Sequence, residues 1–183
     1  MTKSLAALAA FFLLNASALA AEVDNQKSSI AWKGSKITGA NHVGQISPKS
    51  SSLTLVEGVV ASGEVVFAMD SLTVGDLEGE WKDKFIRHMK SPDFFDVGKF
   101  PTATLKLTSM TEGQAKGELT IQGVTQPITF PVQHSDGKYV GKVTFDRTKF
   151  GITYGSGSFF DDLGDKLIND QVEVDFTLVV RGE

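Results

Sequence analysis

The sequence predicts an all-β protein: an antiparallel β-barrel of about eight strands, with a short amphipathic helix and a long lid-like loop. Apolar and polar residues alternate with a period of two over most of the 183 residues, the signature of strands with one buried face. The connections are mostly short Gly, Ser, Asp or Pro turns such as Ser135-Asp136-Gly137, which suit antiparallel pairing and leave no room for the crossover helices of a parallel sheet. Only two later segments break the alternation. Periodicity alone fits a sandwich as well as a barrel; the barrel is preferred because closure leaves no exposed strand edge.

Taken in order, residues 1–20 read as a secretory leader. Lys3 precedes an apolar run from Leu5 to Leu14, and Ala18-Leu19-Ala20 offers the small residues that a signal peptidase reads. The run is about half the length that a membrane-spanning helix needs. The expected product is a periplasmic or secreted soluble chain starting at Ala21, with one domain over residues 21–183.

Inward-facing sets then follow: Ile30 and Trp32; Leu53 and Leu55; Val65, Phe67 and Met69; Ala103, Leu105 and Leu107; Leu119 and Ile121. Ile128, Phe130 and Val132 continue the pattern, as do Tyr139, Gly141, Val143 and Phe145. The clearest strand is the last, with Val172, Val174, Phe176, Leu178 and Val180 on one face and Glu173, Asp175 and Thr177 on the other. Between these, Leu77, Trp81, Phe85 and Met89 recur every four residues and predict a helix from Asp76 to Met89, stopped by Ser91-Pro92. Residues 148–170 form an unusually long connection whose Ile152, Tyr154, Phe159, Phe160 and Leu163 suggest a cover packed over something.

Composition narrows the function. The chain has a formal net charge of −4, and the leader carries Lys3 and no acid, so the remainder is more acidic still. Nucleic acid is excluded as a natural partner, since phosphate binding needs clustered Lys and Arg. With no cysteine, thiol catalysis, thiolate metal sites and disulfides are all excluded. His42, His88 and His134 are too far apart for a local ligand motif, and Asp161, Asp162 and Asp165 lack the alternation of a calcium loop, so no metal or cofactor site is expected. Gly155-Ser156-Gly157 is followed by Phe160 where a third phosphate-loop glycine would stand, and no serine sits in a GxSxG elbow. Nothing here supports an enzyme.

The aromatic residues do stand out: 13 Phe and 2 Trp, of which Phe11 and Phe12 leave with the leader. Singly they read as core. Together they suggest a lined interior, because an eight-stranded barrel lies near the size at which its interior either just fills or holds one small ligand. The candidate lining is Trp32, Phe67, Trp81, Phe85, Phe94, Phe95, Phe145, Phe150, Ile152, Tyr154 and Phe176. Two polar candidates join them. His42 either hydrogen-bonds a ligand head or caps a turn, and Arg147 either meets a head group or pairs with a neighbouring acid.

Several strings resemble the YceI-like proteins of bacteria, also called the polyisoprenoid-binding or lipid-binding YceI-like domain. They are Trp32-Lys33-Gly34 with Asn41-His42-Val43-Gly44; Ser91-Pro92-Asp93-Phe94-Phe95-Asp96 with Phe100-Pro101-Thr102-Ala103; the run from Gly117 to Thr125; and Asp146-Arg147-Thr148-Lys149-Phe150-Gly151. The resemblance implies an extended lipocalin-like barrel whose tunnel holds an isoprenoid, a quinone-like molecule or a fatty amide. It also implies a periplasmic carrier, and associates a membrane cytochrome b561 as a possible partner; a homodimer is a further expectation by analogy. The rival readings are a fully packed barrel that docks a membrane partner and, behind it, an enzyme that modifies an isoprenoid lipid.

Overall fold

The computed structural model describes residues 17–111 and 113–182. Ten strands follow in order: β1 (Ala18–Val23), β2 (Ser29–Ser35), β3 (Asn41–Gln45), β4 (Ser47–Val56), β5 (Val59–Ala68), β6 (Thr102–Thr111), β7 (Gln114–Ile121), β8 (Val124–Ser135), β9 (Lys138–Asp146) and β10 (Gln171–Gly182). Among the described residues one α-helix, α1 (Gly79–Lys90), lies between β5 and β6. The ring β1-β4-β5-β6-β7-β8-β9-β10 closes through antiparallel pairing of β1 with β10. The fold is therefore a closed eight-strand antiparallel barrel with β2 and β3 attached to it.

Those two extra strands extend the wall rather than adding a layer. Residues of both β1 and β2 pair with the same edge of β10, Val23 opposite Val180 and Ser29 opposite Thr177. The bend between them is stitched by Asp24 N–H to Val179 O at 2.8 Å and by Val179 N–H to Ser28 Oγ at 2.9 Å. Likewise β3 and β4 are one strand interrupted at Ile46, whose N–H reaches Ile30 O. The sequence reading missed β1, which overlaps the expected leader, and β3, which is short and carries few apolar residues. Most of the leader lies outside the described residues; Ala18–Ala20 pair with Val56–Thr54.

The two ends of the barrel differ. At one end the strands are joined tightly, as in Glu57-Gly58 and Asp136-Gly137, where φ values of 53°, 78°, 50° and 72° give the left-handed turns that match strand twist. At the other end lie the β2–β3 hairpin, the segment carrying α1, and the long connection from β9 to β10.

The barrel also loosens toward that second end. β8 pairs with β9 only from Val132 opposite Gly141 to Ser135 opposite Lys138, while it pairs with β7 from Val124 opposite Ile121 to Pro131 opposite Gln114. Val132 N–H donates to Gly113 O on the β7 side. Since N–H direction alternates along a strand, Pro127 and Pro131 turn their missing donors toward β9, where no ladder can form. Gly141 sits at the last contact because a Cβ there would lie 2.5 Å from Pro131 O and against the Phe176 ring. Residues 147–150 fill the gap, with Gln126 Nε2 donating to Lys149 O at 3.1 Å.

The helix starts three residues later than predicted. Residues 73–76 pair instead with the free edge of β3: Thr73 N–H donates to Gln45 O, Gly75 N–H to Val43 O, and Asp76 accepts Val43 N–H. The stop is as predicted, with Ser91 extended before Pro92 and its hydroxyl donating to His88 O.

Two apolar clusters fill the barrel. Val23, Leu53, Val65, Leu107, Ala115, Val132 and Tyr139 pack the tightly turned half. Trp32, Met69, Leu72, Met89, Phe94, Ala103, Leu119 and Ile152 belong to the other.

Candidate functional site

The second cluster surrounds a space. A cavity of about 430 Å³ occupies that half of the barrel, within the usual range for ligand sites. Its mouth lies between α1, the β2–β3 hairpin and the long connection. Of the predicted residues, Trp32, His42, Phe67, Phe85, Phe94, Phe95, Phe145, Arg147, Ile152 and Tyr154 all line it.

One side of the mouth is held by aromatic contacts and one carboxylate. Trp32 stacks parallel to Phe85 at 6.2 Å and donates its indole N–H to Thr73 O at 3.1 Å. Gly44 makes this approach possible, because a Cβ there would stand 1.8 Å from Thr73 O. His42 lies 4.6 Å from Phe85, with Nδ1 2.7 Å from Asp76 Oδ2. Burial raises the Asp76 pKa, but the Val43 N–H and His42 outweigh it and hold the carboxyl below its ordinary range. His42 thus ties β3 to the chain leading into α1 while its ring borders the cavity. On the other side, the His88 ring packs against Tyr154 at 4.6 Å and Phe94 at 5.3 Å.

Arg147 is the polar pivot of the long connection. It is 2 % exposed, and all five of its N–H groups are used. Nε donates to Asn169 O; one terminal nitrogen donates to Ile152 O and Tyr154 O, and the other to Ile168 O and Asp170 Oδ1. Burial lowers its pKa, with Asp170 and Asp146 opposing the shift. No donor remains for a ligand head, so of the two roles left open by the sequence the structure takes the structural one. The expected lid is correspondingly an anchored wall: Ile152 and Ser156 are fully buried, and Asn169 clips the connection to Ser35 Oγ and Lys36 O on the hairpin.

Three predicted lining residues lie elsewhere. Phe176 belongs to the packed half, edge-on to Phe130 at 5.8 Å. Phe150 is buried behind the wall, edge-on to Phe145 at 5.6 Å, where it fills the gap between β8 and β9. Trp81 is 72 % exposed; α1 begins only at Gly79, and its first turn stands clear of the barrel. Phe159 and Phe160, expected to pack inward, are also exposed. Met69, Met89, Leu119, Ile128, Val174 and His88 line the cavity and were not singled out. Most share the inward phase of their strand, but periodicity does not separate lining from filling.

A model of the YceI-like domain matches residues 22–180. A UPF0312 protein of Vibrio vulnificus (strain YJ016) is 31 % identical over 127 residues, covering 67 % of this chain and 65 % of that protein. A UPF0312 protein of Staphylococcus aureus (strain N315) is 36 % identical over 78 residues, covering 37 % of this chain and 46 % of that protein. The matches thus span less than two thirds of these relatives. Among solved structures, Burkholderia cenocepacia BcnA superposes with a TM-score of 0.63 at 20 % identity, covering 87 % of this chain and 99 % of that one. A polyisoprenoid binding domain from Saccharophagus degradans, implicated in plant cell wall breakdown, gives a TM-score of 0.63 at 16 % identity, covering 90 % and 99 %. At these identities the structural likeness speaks to the barrel.

Proposed function

The chain belongs to the YceI-like domain family, and from that premise we propose that it is a periplasmic carrier that encloses the hydrocarbon chain of an isoprenoid, quinone-like or fatty amide molecule. The observation that carries this reading is the apolar cavity of about 430 Å³ in the half of the barrel that α1 and the long connection complete. A fully packed barrel, the rival reading, has no use for such a space.

Binding needs no charged anchor. Burying roughly 400 Å² of hydrocarbon at about 25 cal/mol per Å² contributes on the order of 10 kcal/mol before ordering costs. With Arg147 committed to the wall, a neutral head group suits the mouth, where His42 and His88 offer single hydrogen bonds. The protein works by enclosure and release rather than by chemistry.

Trp32 reports on occupancy. In a Trp81→Phe background, titration with a long-chain quinone is expected to change Trp32 emission saturably at one ligand per chain and to raise the melting temperature. Unchanged emission and melting with quinone, isoprenoid alcohol and fatty amide alike overturn the carrier reading.

A further inference from the structure

We propose that the rim of the cavity mouth docks on a phospholipid bilayer with electrically neutral head groups, so that a long-chain ligand crosses between bilayer and cavity without entering water. The purpose of docking rests on the carrier reading above; the docking surface itself does not.

Four large and well-exposed apolar side chains, three of them aromatic, gather where the ligand must enter. Ile37 (63 % exposed), Trp81 (72 %), Phe159 (57 %) and Phe160 (50 %) come from the hairpin, the helix and the long connection, the three elements that border the mouth. Val43 lies on the same hairpin, while Leu19, Val124 and Val140 are single aliphatic residues on other strands, as any surface carries.

The rim residues are held outward by structure beneath them. Phe159 and Phe160 both donate their N–H groups to O of the fully buried Ser156, which fixes the turn that presents them. Beside them, Leu167 packs at Gly157 and accepts Ile37 N–H at 3.2 Å, joining hairpin and connection into one patch. Across the mouth, Trp81 stands one helical turn before Phe85, which walls the cavity. Lys84 Nζ lies 5.2 Å over the Trp81 ring. An indole with an ammonium alongside is the pairing favoured at a membrane interface, the ring among acyl carbons and the charge at the head groups.

Charge selects the kind of surface. Acids (Glu78, Glu80, Asp83, Asp161, Asp162 and Asp165) and bases (Lys36, Lys82, Lys84 and Lys166) are interspersed around these side chains, and Lys84 is paired with Glu80 at 2.7 Å. Such a mixed rim has no basic patch to hold an anionic bilayer, and a zwitterionic surface suits it. Continuity of the patch with an apolar cavity favours a lipid surface over a protein partner, because insertion there places the mouth against the hydrocarbon from which an insoluble chain must come.

The test uses phosphatidylcholine vesicles with brominated acyl chains. The protein is expected to sediment with them and Trp81 emission to be quenched, with the quenching absent in Trp81→Phe. Exchanging both Phe159→Ser and Phe160→Ser is expected to weaken vesicle partition by about tenfold or more, while uptake of water-dispersed N-phenyl-1-naphthylamine stays unchanged. Raising salt to about 0.5 M is expected to alter partition by less than about twofold. Absence of partition, partition indifferent to the double exchange, or partition only on anionic vesicles overturns the proposal, the first of these pointing to a protein partner. Vesicle partition with no dye uptake by either protein keeps the docking surface and removes the carrier reading.

Discussion

The same strands build both halves of the barrel, yet one half is filled mainly by a cluster of buried side chains and the other surrounds a cavity. On β6, Leu107 lies in the filled half and Ala103 in the hollow one; on β7 the sizes are reversed, with Ala115 in the filled half and Leu119 in the hollow one. Alternation points all four inward. Side-chain size therefore does not decide which half packs; continuity of the wall does. In the filled half eight strands stay paired, tight turns close the end, and the Tyr139 hydroxyl accepts Val60 N–H across the barrel at 2.9 Å. In the hollow half β8 and β9 separate at Pro131, and the wall is completed by a helix and by a connection hung on Arg147. A packed barrel becomes a container by substituting polar scaffolding for strand pairing over part of its circumference.

The largest effect is expected at that scaffold. Arg147→Met strands four backbone carbonyls and the Asp170 carboxylate, and urea unfolding is expected to show a loss of about 3–5 kcal/mol. Arg147→Lys is expected to recover less than half, since one ammonium cannot reproduce the guanidinium fork. A loss within about 1 kcal/mol would mean that the hollow half is held by packing after all.

Matched deletions come next. Leu107 and Leu119 are equally buried, but Leu119 already borders a space. Leu107→Ala is expected to lose about 3 kcal/mol and Leu119→Ala about half as much, with only the second altering ligand affinity. Matched insertions run the other way. Ala115→Phe has no room and is expected to lose about 2–3 kcal/mol. Ala103→Phe is expected to leave stability within about 1 kcal/mol and to abolish binding of a long-chain ligand.

The smallest effect separates the halves by pH. The Asp76 carboxyl is held low in the folded protein, so its contribution is present above the ordinary value of 3.8 and is lost as pH falls through the folded pKa. Comparison with Asp76→Asn by urea unfolding is expected to show a difference below about 1 kcal/mol near neutral pH that vanishes in acid. Burial raises the Tyr139 pKa, despite the opposing Val60 N–H, so that contribution is full below 10.0 and is lost as pH rises through the folded pKa. Tyr139→Phe tested in the same way is expected to differ from the parent in its response to alkali, not to acid.

Much of this architecture is legible in the residues. The inward faces of β2 and β4 to β10 and the end of α1 at Ser91-Pro92 follow from period and spacing, whereas which inward aromatic residues line the cavity does not: Trp32 and Phe145 do, Phe150 and Phe176 do not. The hollowness is less so. Pro127 and Pro131 carry the signal for the gap in the wall, but reading it requires knowing which neighbour each N–H faces, and that depends on register. Trp81 misleads because the four-residue spacing runs back through Leu77, whereas α1 begins only at Gly79 after residues 73–76 have paired with the free edge of β3, which leaves Trp81 on an exposed first turn. Arg147 shows one charged group in the sequence; only the fold supplies the four carbonyls around it.

The most direct test of the container is native mass spectrometry of the protein purified from its own compartment without detergent, followed by solvent extraction. The account predicts one discrete added mass per chain that extracts as a long-chain, neutral-headed molecule and is absent from Ala103→Phe. A clean apoprotein that also takes up no added long-chain lipid would contradict it.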